Sequence, residues 1–370
     1  MLVVRVLAAV AGAVLVVVAV MSAVKTVVLP RSAGSMITRA VFFLLRRFVY
    51  FVIGKRSFAV RDRVLAYYGP VALMLLPVMW VTLSGAGFTA IYWGTGMRSL
   101  RQSFLVSGSS ILTLGTAFDH ALPHAALSFA EALLGLTLVA LLISYLPTIY
   151  GAFSRREQLV ALLEVRAGLP PSPSELLARY TRIGGIDLIA SDLLPRWEEW
   201  FADIEETHTT LPALVFFRSP HVERSWITSA GCVLDTAALV ASTVDTPRNP
   251  ATDVTIRSGF MALRRIADTF GIEHPAAPSA SDRISVTRDE FDDVCAELEA
   301  AGVPLKADRD VAWADFAGWR VNYDAVLVSL ATLVDAPRAQ WSSDRGPLHE
   351  PRPKVLRRLA SHVKGRRAAS

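Results

Sequence analysis

A single carboxylate, Glu131, interrupts an otherwise uncharged apolar run at residues 125–145. An ionisable side chain inside a membrane-spanning segment is costly in free energy and normally faces the protein interior or a partner, so Glu131 is a candidate functional residue. Its predicted partner is either the backbone of the preceding loop or the hydroxyl of Ser107, Ser109 or Ser110. Glu131 therefore predicts a polar site just behind that loop.

The preceding loop contains the segment Thr113-Leu114-Gly115-Thr116-Ala117. Backbone carbonyls that point at one axis can replace the hydration shell of a cation. Such a backbone needs residues that tolerate unusual dihedral angles. Gly115 meets this need, whereas Ala117 does not if its φ must be positive. The chemistry open to this segment is thus cation coordination by main-chain oxygens, together with the Thr113 hydroxyl.

This loop resembles the filter of the potassium-channel pore family, in which a short pore helix precedes a Thr-x-Gly-aromatic-Gly sequence. Thr113, Leu114 and Gly115 match the first three filter positions. Thr116 stands where the family has an aromatic residue, and Ala117 stands where it has the second glycine. The resemblance implies a cation path lined by residues 113–117, with relaxed selectivity, and leaves a non-conducting descendant as the alternative.

The resemblance continues into the following apolar run and covers about residues 64–156. Glu131 and Gly135 are similar to the Glu-Ala-x-x-Gly pattern on the inner helix of bacterial two-span channels. The resemblance implies that Glu131 supports the filter. Gly135 is expected to act as a hinge or as a close-packing position, and Pro147 to bend the helix at its cytoplasmic end. As a whole, the chain looks like actinobacterial ion-channel-family proteins that join such a pore to a helical cytoplasmic region.

Charge divides the 370 residues into two unlike parts. Residues 1–156 carry a net charge of +11, and residues 157–370 carry −6. Much of the basic charge lies beside apolar runs, which is typical of membrane topology and does not predict nucleic-acid binding. The two cysteines, Cys232 and Cys295, form no Cys-x-x-Cys motif, so we expect reduced thiols and no zinc site.

Three uncharged or nearly uncharged runs predict membrane spans at residues 6–24, 71–92 and 125–145. We interpret the first as a retained helix, although a signal peptide is the competing interpretation. Residues 98–124, between the last two spans, are too short to cross and return as two helices. They are therefore predicted to form a re-entrant segment.

Nine basic residues lie between the first two predicted spans: Lys25, Arg31, Arg39, Arg46, Arg47, Lys55, Arg56, Arg61 and Arg63. The positive-inside rule places this loop in the cytoplasm, the re-entrant segment outside, and the C-terminal half in the cytoplasm of a cell membrane protein. Within the loop, residues 35–53 are apolar enough for a fourth span. However, the central pair Arg46 and Arg47 favours a helix lying in the membrane interface.

The C-terminal half is predicted to be an all-α domain, because helical periodicity recurs and strand-like alternation is scarce. The predicted organisation is residues 1–63 (first span and interfacial helix), 64–156 (pore), 157–335 (helical cytoplasmic domain) and 336–370 (disordered basic tail). The fold class is thus an all-α membrane protein with three transmembrane helices, a re-entrant loop and an all-α cytoplasmic domain.

A polar cluster in the C-terminal half, Glu205, His208, His221 and Glu223, has the residue types of a metal site. Its spacing does not fit one helix face, and no HExxH or Gly-x-Ser-x-Gly motif occurs, so no metal, cofactor or enzymatic activity is predicted. We interpret the cluster as residues that cap helices and pair with arginines. A sensing pocket is the alternative, suggested by four tryptophans at positions 197, 200, 226 and 319.

Two functional hypotheses follow. The first is a potassium-channel-like pore for K⁺ or Na⁺, assembled in a lipid membrane as a homotetramer and regulated by its cytoplasmic domain. The second is a non-conducting, membrane-anchored scaffold or sensor.

Overall fold

The chain is all-helical in a computed structural model that describes residues 1–29, 35–54 and 56–346. Helices make up 74% of it, which confirms the predicted all-α class. The chain divides into two compact units within a single long helix, between Gly151 and Ala152. The division is five residues before the predicted boundary at 156.

Among the described residues, the first unit contains five helices and the amino-terminal part of a sixth, the long helix that the two units share. They are α1 (Leu2–Val27), α2 (Met36–Ile53), α3 (Phe58–Ala66), α4 (Tyr68–Gly94), α5 (Leu100–Ile111) and α6 (Leu122–Ala167). Within the described part of the chain, three helical stretches are long and apolar enough to cross a membrane, namely Leu2–Val27, Phe58–Gly94 and Leu122–Ala167. The three predicted spans lie within them.

Glycines bring α1 and α4 into backbone contact. A Cβ atom on Gly12 would overlap the carbonyl oxygen of Gly87, and one on Gly94 would come within 2.5 Å of the carbonyl oxygen of Arg5. Small residues at helix interfaces allow this close approach in membrane proteins. α1 therefore packs closely on α4, and its retention in the mature protein stays a prediction.

The helix α2 begins after Ser35, whose side chain accepts a hydrogen bond from the Thr38 amide at 3.1 Å. Val41, Val49 and Ile53 lie on its buried face, whereas Phe51 is 85% exposed. This helix carries three arginines and is not among the three candidate spans. Its placement in the membrane interface remains a prediction.

The second unit is a helical domain around one large hydrophobic core. Its helices are α7 (Pro173–Ile183), α8 (Leu194–Thr210), α9 (Trp226–Ser242), α10 (Pro250–Thr269), α11 (Arg288–Ala300), α12 (Arg309–Arg320) and α13 (Asp324–Val334), with a π-helical turn at Ile189–Leu193 and a 3₁₀ turn at Pro212–Phe216. Every residue of α9 from Trp226 to Val240 is buried, so this helix is central to the domain.

Helix ends follow local sequence signals. α6 ends at Ala167 before Gly168, which has a φ of +76°. α11 begins after Thr287, which forms a capping box with Glu290. Such caps satisfy backbone groups that a helix leaves without partners.

The prediction of a disordered tail from residue 336 is wrong for its first part. Trp341 is 1% exposed within the domain core, and its carbonyl oxygen accepts a hydrogen bond from Arg320. Residues 336–346 thus belong to the folded domain. The remaining part of the predicted tail, residues 347–370, lies outside the described residues.

Candidate functional site

The helix α5 ends in a Schellman motif that places the first residue of the 113–117 segment. The Thr113 amide donates to the Ser110 carbonyl at 3.0 Å, and the Leu114 amide donates to the Ser109 carbonyl at 2.8 Å. This pair of bonds requires a left-handed residue just beyond the helix, and Thr113 has a φ of +54°. The end of α5 therefore fixes the direction in which the segment leaves the helix.

Thr113 is an unusual residue for that position. Glycine is the common choice after a helix, and a β-branched residue at positive φ is a conformational outlier. Holding a non-glycine residue there costs on the order of 1–3 kcal/mol, and such strain is concentrated at functional sites. Gly115 also has a positive φ, +68°, which glycine adopts without this cost.

Ser109 accepts hydrogen bonds from the backbone at both ends of residues 114–117. Its carbonyl accepts the Leu114 amide, and its hydroxyl oxygen accepts the Ala117 amide at 3.0 Å. Ala117 is not among the described residues with positive φ, so the alanine is accommodated without the strain that the sequence suggested. Thr113, Leu114, Gly115 and Thr116 are all exposed.

The carbonyl oxygens of this segment have no intramolecular role. From Thr113 to Ala117, none accepts a hydrogen bond from any residue that the structure describes. Because the Thr113, Leu114 and Ala117 amides are held by α5, the segment keeps a defined shape while its oxygens stay available. An arrangement of this kind can coordinate a cation once oxygens from several copies converge.

Glu131 is 0% exposed and faces α5, which is the interior position that its isolation in sequence predicts. The Ser107 Oγ atom lies 2.5 Å from Glu131 Oε1 and 2.9 Å from the carbonyl oxygen of Gly85. Of the three serine hydroxyls predicted as partners, Ser107 therefore makes the contact. Glu131 Oε2 has no hydrogen-bond partner within the described part of the chain.

Gly135 lies where α6 passes the end of α5. A Cβ atom at this position would overlap the carbonyl oxygen of Ile111, the last residue of α5. This contact supports the close-packing interpretation of Gly135. Pro147 lies inside α6, which continues as a helix to Ala167. The hinge roles of Gly135 and Pro147 stay predictions.

A chain of three side chains beyond the segment was not predicted. Asp119 accepts the Ala121 amide at 2.9 Å and lies 3.0 Å from His124 Nδ1, and His124 Nε2 lies 3.1 Å from Thr95 Oγ1. The hydrogen bonds from Ala121 and His124 lower the pKa of Asp119. The chain links the loop to the end of α4. Only the proximity of Asp119 and His124 in sequence could have suggested it.

The polar cluster of the second unit is dispersed by the fold. His208 is buried against Arg156, Glu205 pairs with Arg265, and His221 and Glu223 are exposed. Within the described ranges, no group of three or more His, Cys, Asp or Glu residues is placed to hold a metal ion. Glu205 and His208, both on α8, thus contact arginines of other helices, in agreement with the interpretation of the cluster as residues that pair with arginines.

Arg156 and His208 form a buried pair. Arg156 donates to His208 Nε2 at 3.2 Å, to the Leu214 carbonyl at 2.9 Å and to the Phe217 carbonyl at 2.7 Å. Burial, together with the facing guanidinium group, lowers the pKa of His208 well below its usual value of 6.5. His208 is therefore neutral and accepts a hydrogen bond through Nε2.

The four tryptophans do not form one pocket. Trp197, Trp200 and Trp226 are at most 3% exposed and belong to the core. Trp319 lines a cleft of about 530 Å³, and none of the other three tryptophans is among the residues that line it. Of the four tryptophans that suggested a sensing pocket, Trp319 is therefore the one found at this cleft.

No family model, no curated protein and no solved structure matches this chain. The function must be argued from the geometry of the site itself.

Proposed function

We propose that four copies of this chain assemble a cation-conducting pore of the potassium-channel type, with residues 113–117 as the filter. The observation that carries this proposal is a run of carbonyl oxygens that accept no hydrogen bond from the described residues, in a mostly exposed segment whose backbone α5 holds in shape. One chain supplies one such loop. A closed ring of oxygens around an axis therefore needs several copies, and a homotetramer is the geometry that the resemblance implies.

The strain at Thr113 supports the same proposal. A glycine at this position would end α5 at lower cost, yet the chain holds a β-branched residue there. A threonine at the inner end of a filter contributes its hydroxyl oxygen as well as its carbonyl oxygen. Under this proposal, the free-energy cost at Thr113 maintains an additional cation ligand.

The proposed placement in the membrane follows from charge. Three apolar helices cross the bilayer, residues 98–124 enter and leave at the outer face, and the basic loop between the first two spans lies in the cytoplasm. The helical domain is then cytoplasmic and regulates the pore of a cell membrane protein. Thr116 and Ala117, which replace an aromatic residue and a glycine, favour relaxed selectivity between K⁺ and Na⁺.

Reconstitution tests this proposal. Purified protein in nanodiscs should have the mass of four copies by native mass spectrometry, and in liposomes it should carry a cation flux. The variant Thr113→Gly should unfold at a higher temperature and conduct differently, because it relieves strain and removes the hydroxyl group. A stable monomer without flux would contradict the proposal and favour the membrane-anchored scaffold or sensor.

A further inference from the structure

A cleft in the second unit lies where the carboxyl end of α9, the amino end of α10 and one face of α12 meet. Its volume of about 530 Å³ is in the range of small-molecule sites. Arg248, Asp253, Lys306, Asp315, Trp319 and Asn322 are among the side chains that line it. Charged, polar and aromatic side chains line the cleft. Its lining therefore differs in chemistry from the apolar core of the same unit.

Two of the four charges in the cleft neutralise each other. Arg248 donates to the Asp253 carboxylate through two nitrogens, at 2.5 and 3.1 Å. Both nitrogens contact the same oxygen, Asp253 Oδ2, so the two groups form a charge-compensated ion pair. A ligand would therefore meet the two charges that remain.

The remaining charges are one cation and one anion. Lys306 Nζ donates to the carbonyl oxygens of Ala241 and Ser242, at 3.3 and 2.8 Å, and forms no ion pair with any described residue. These carbonyls fix the ammonium group at the cleft and leave one of its three donors. Asp315 is exposed and has neither an ion pair nor a hydrogen bond within the part of the chain described.

Trp319 lies one turn after Asp315 on the same face of α12. It is partly exposed, and its indole N–H has no hydrogen-bond partner among the described residues. An aromatic face beside a carboxylate attracts a cationic group that carries apolar surface. Asp315 and Trp319 together therefore select for an organic ammonium ion.

We propose that this cleft binds a free amino acid. Its carboxylate would accept a hydrogen bond from Lys306, and its ammonium group would lie between Asp315 and the face of Trp319. A ligand with a single charge would leave Lys306 or Asp315 without compensation. This inference is independent of the proposed pore.

Binding is tested with the full-length protein in detergent by isothermal titration calorimetry, using the proteinogenic L-amino acids one at a time. At least one should bind saturably. For L-phenylalanine, the single-charge analogues are 3-phenylpropionate and 2-phenylethylamine. Analogues of the amino acid that binds, each lacking its ammonium or its carboxylate group, should bind about tenfold more weakly or less, since each loses a charged hydrogen bond.

Asp315→Asn should weaken binding by about tenfold or more, and Trp319→Phe should weaken it less. Asp315 is exposed and unpaired, so its variant should keep the thermal unfolding temperature of the wild type. Glu199→Gln, at an exposed carboxylate on α8, is the matched control and should bind as the wild type does. Absence of saturable binding by every amino acid, or unchanged binding by Asp315→Asn, would overturn the proposal.

Discussion

The hydroxyl oxygen of Ser107 lies within hydrogen-bond distance of two acceptors, Glu131 Oε1 at 2.5 Å and the Gly85 carbonyl at 2.9 Å. A serine hydroxyl has one proton, so it donates to one of these oxygens at a time. Both contacts are hydrogen bonds at the same time when the side chain at position 131 donates to Ser107, because the Ser107 proton can then be donated to the Gly85 carbonyl oxygen. This relationship ties α4, α5 and α6 together behind the 113–117 segment.

The first prediction compares two substitutions of Glu131. Glu131→Gln can donate its amide proton to Ser107, which then donates to Gly85, so the variant should keep the wild-type unfolding temperature. Glu131→Ala removes this partner from a buried hydroxyl and should lose about 1–3 kcal/mol of stability. Thermal unfolding in detergent measures both. Equal stability of the two variants would show that the contact does not support the fold.

The second prediction concerns close packing of α6 on α5. Gly135→Ala places a methyl group on the Ile111 carbonyl and should cost about 1–3 kcal/mol, because backbone must move. The matched control is Gly108→Ala, within α5, where a Cβ atom meets nothing within 4 Å. This control should be neutral or up to about 1 kcal/mol more stable, as alanine favours a helix. The close-packing interpretation fails if both variants unfold alike.

The third prediction is a pH dependence of stability caused by His208. Its pKa is lowered in the folded state, so below about pH 6.5 the unfolded chain takes up a proton that the folded chain does not. Stability should therefore fall as the pH drops below about 6.5, by up to about 1.4 kcal/mol per pH unit. Chemical denaturation followed by tryptophan fluorescence measures this slope.

Two variants test whether His208 causes this pH dependence of stability. His208→Gln keeps an acceptor for Arg156 but has no titratable ring, so its slope should be smaller by the contribution of one proton. His221→Gln, at an exposed histidine, is the control and should keep the wild-type slope. An unchanged slope in His208→Gln would exclude His208 as its origin.

The fourth prediction concerns the segment that the sequence suggested was disordered. Trp341→Ala should destabilise the protein by about 3–5 kcal/mol, because it empties a fully buried site in the core. Val254→Ala, at a side chain that is 45% exposed, should change stability by less than about 0.5 kcal/mol. A Trp341→Ala variant as stable as the control would place this segment outside the cooperative core.

Local sequence signals predicted the all-α class and the three long apolar helices. Long apolar runs identify the three candidate spans, and the Thr287–Glu290 capping box marks the start of α11. Composition predicted disorder around Trp341, because proline and arginine are frequent there. This prediction is wrong, since the single aromatic side chain of the segment is buried in the core. At His208 the sequence indicated pairing with an arginine but did not identify Arg156, which is 52 residues away in sequence. Contacts between distant residues depend on the fold, which no local pattern encodes.

The candidate site was predicted in part. The isolation of Glu131 in an apolar run indicated a polar partner and left three serines open, and only the register between α5 and α6 selects Ser107. The Schellman motif at Thr113 could not be predicted, since threonine is a poor residue for that conformation. Strain of this kind contradicts local preference, and it is therefore visible only in the structure.

The central claim is that residues 113–117 line a cation path, and flux through liposomes tests it most directly. We predict that wild-type protein carries K⁺ and Na⁺, and that Gly115→Ala changes the flux or abolishes it. At φ +68° an alanine strains the backbone, while its Cβ atom meets nothing within 4 Å, so the fold itself should persist. A wild-type protein without cation flux, or a flux that Gly115→Ala leaves unchanged, would contradict the account.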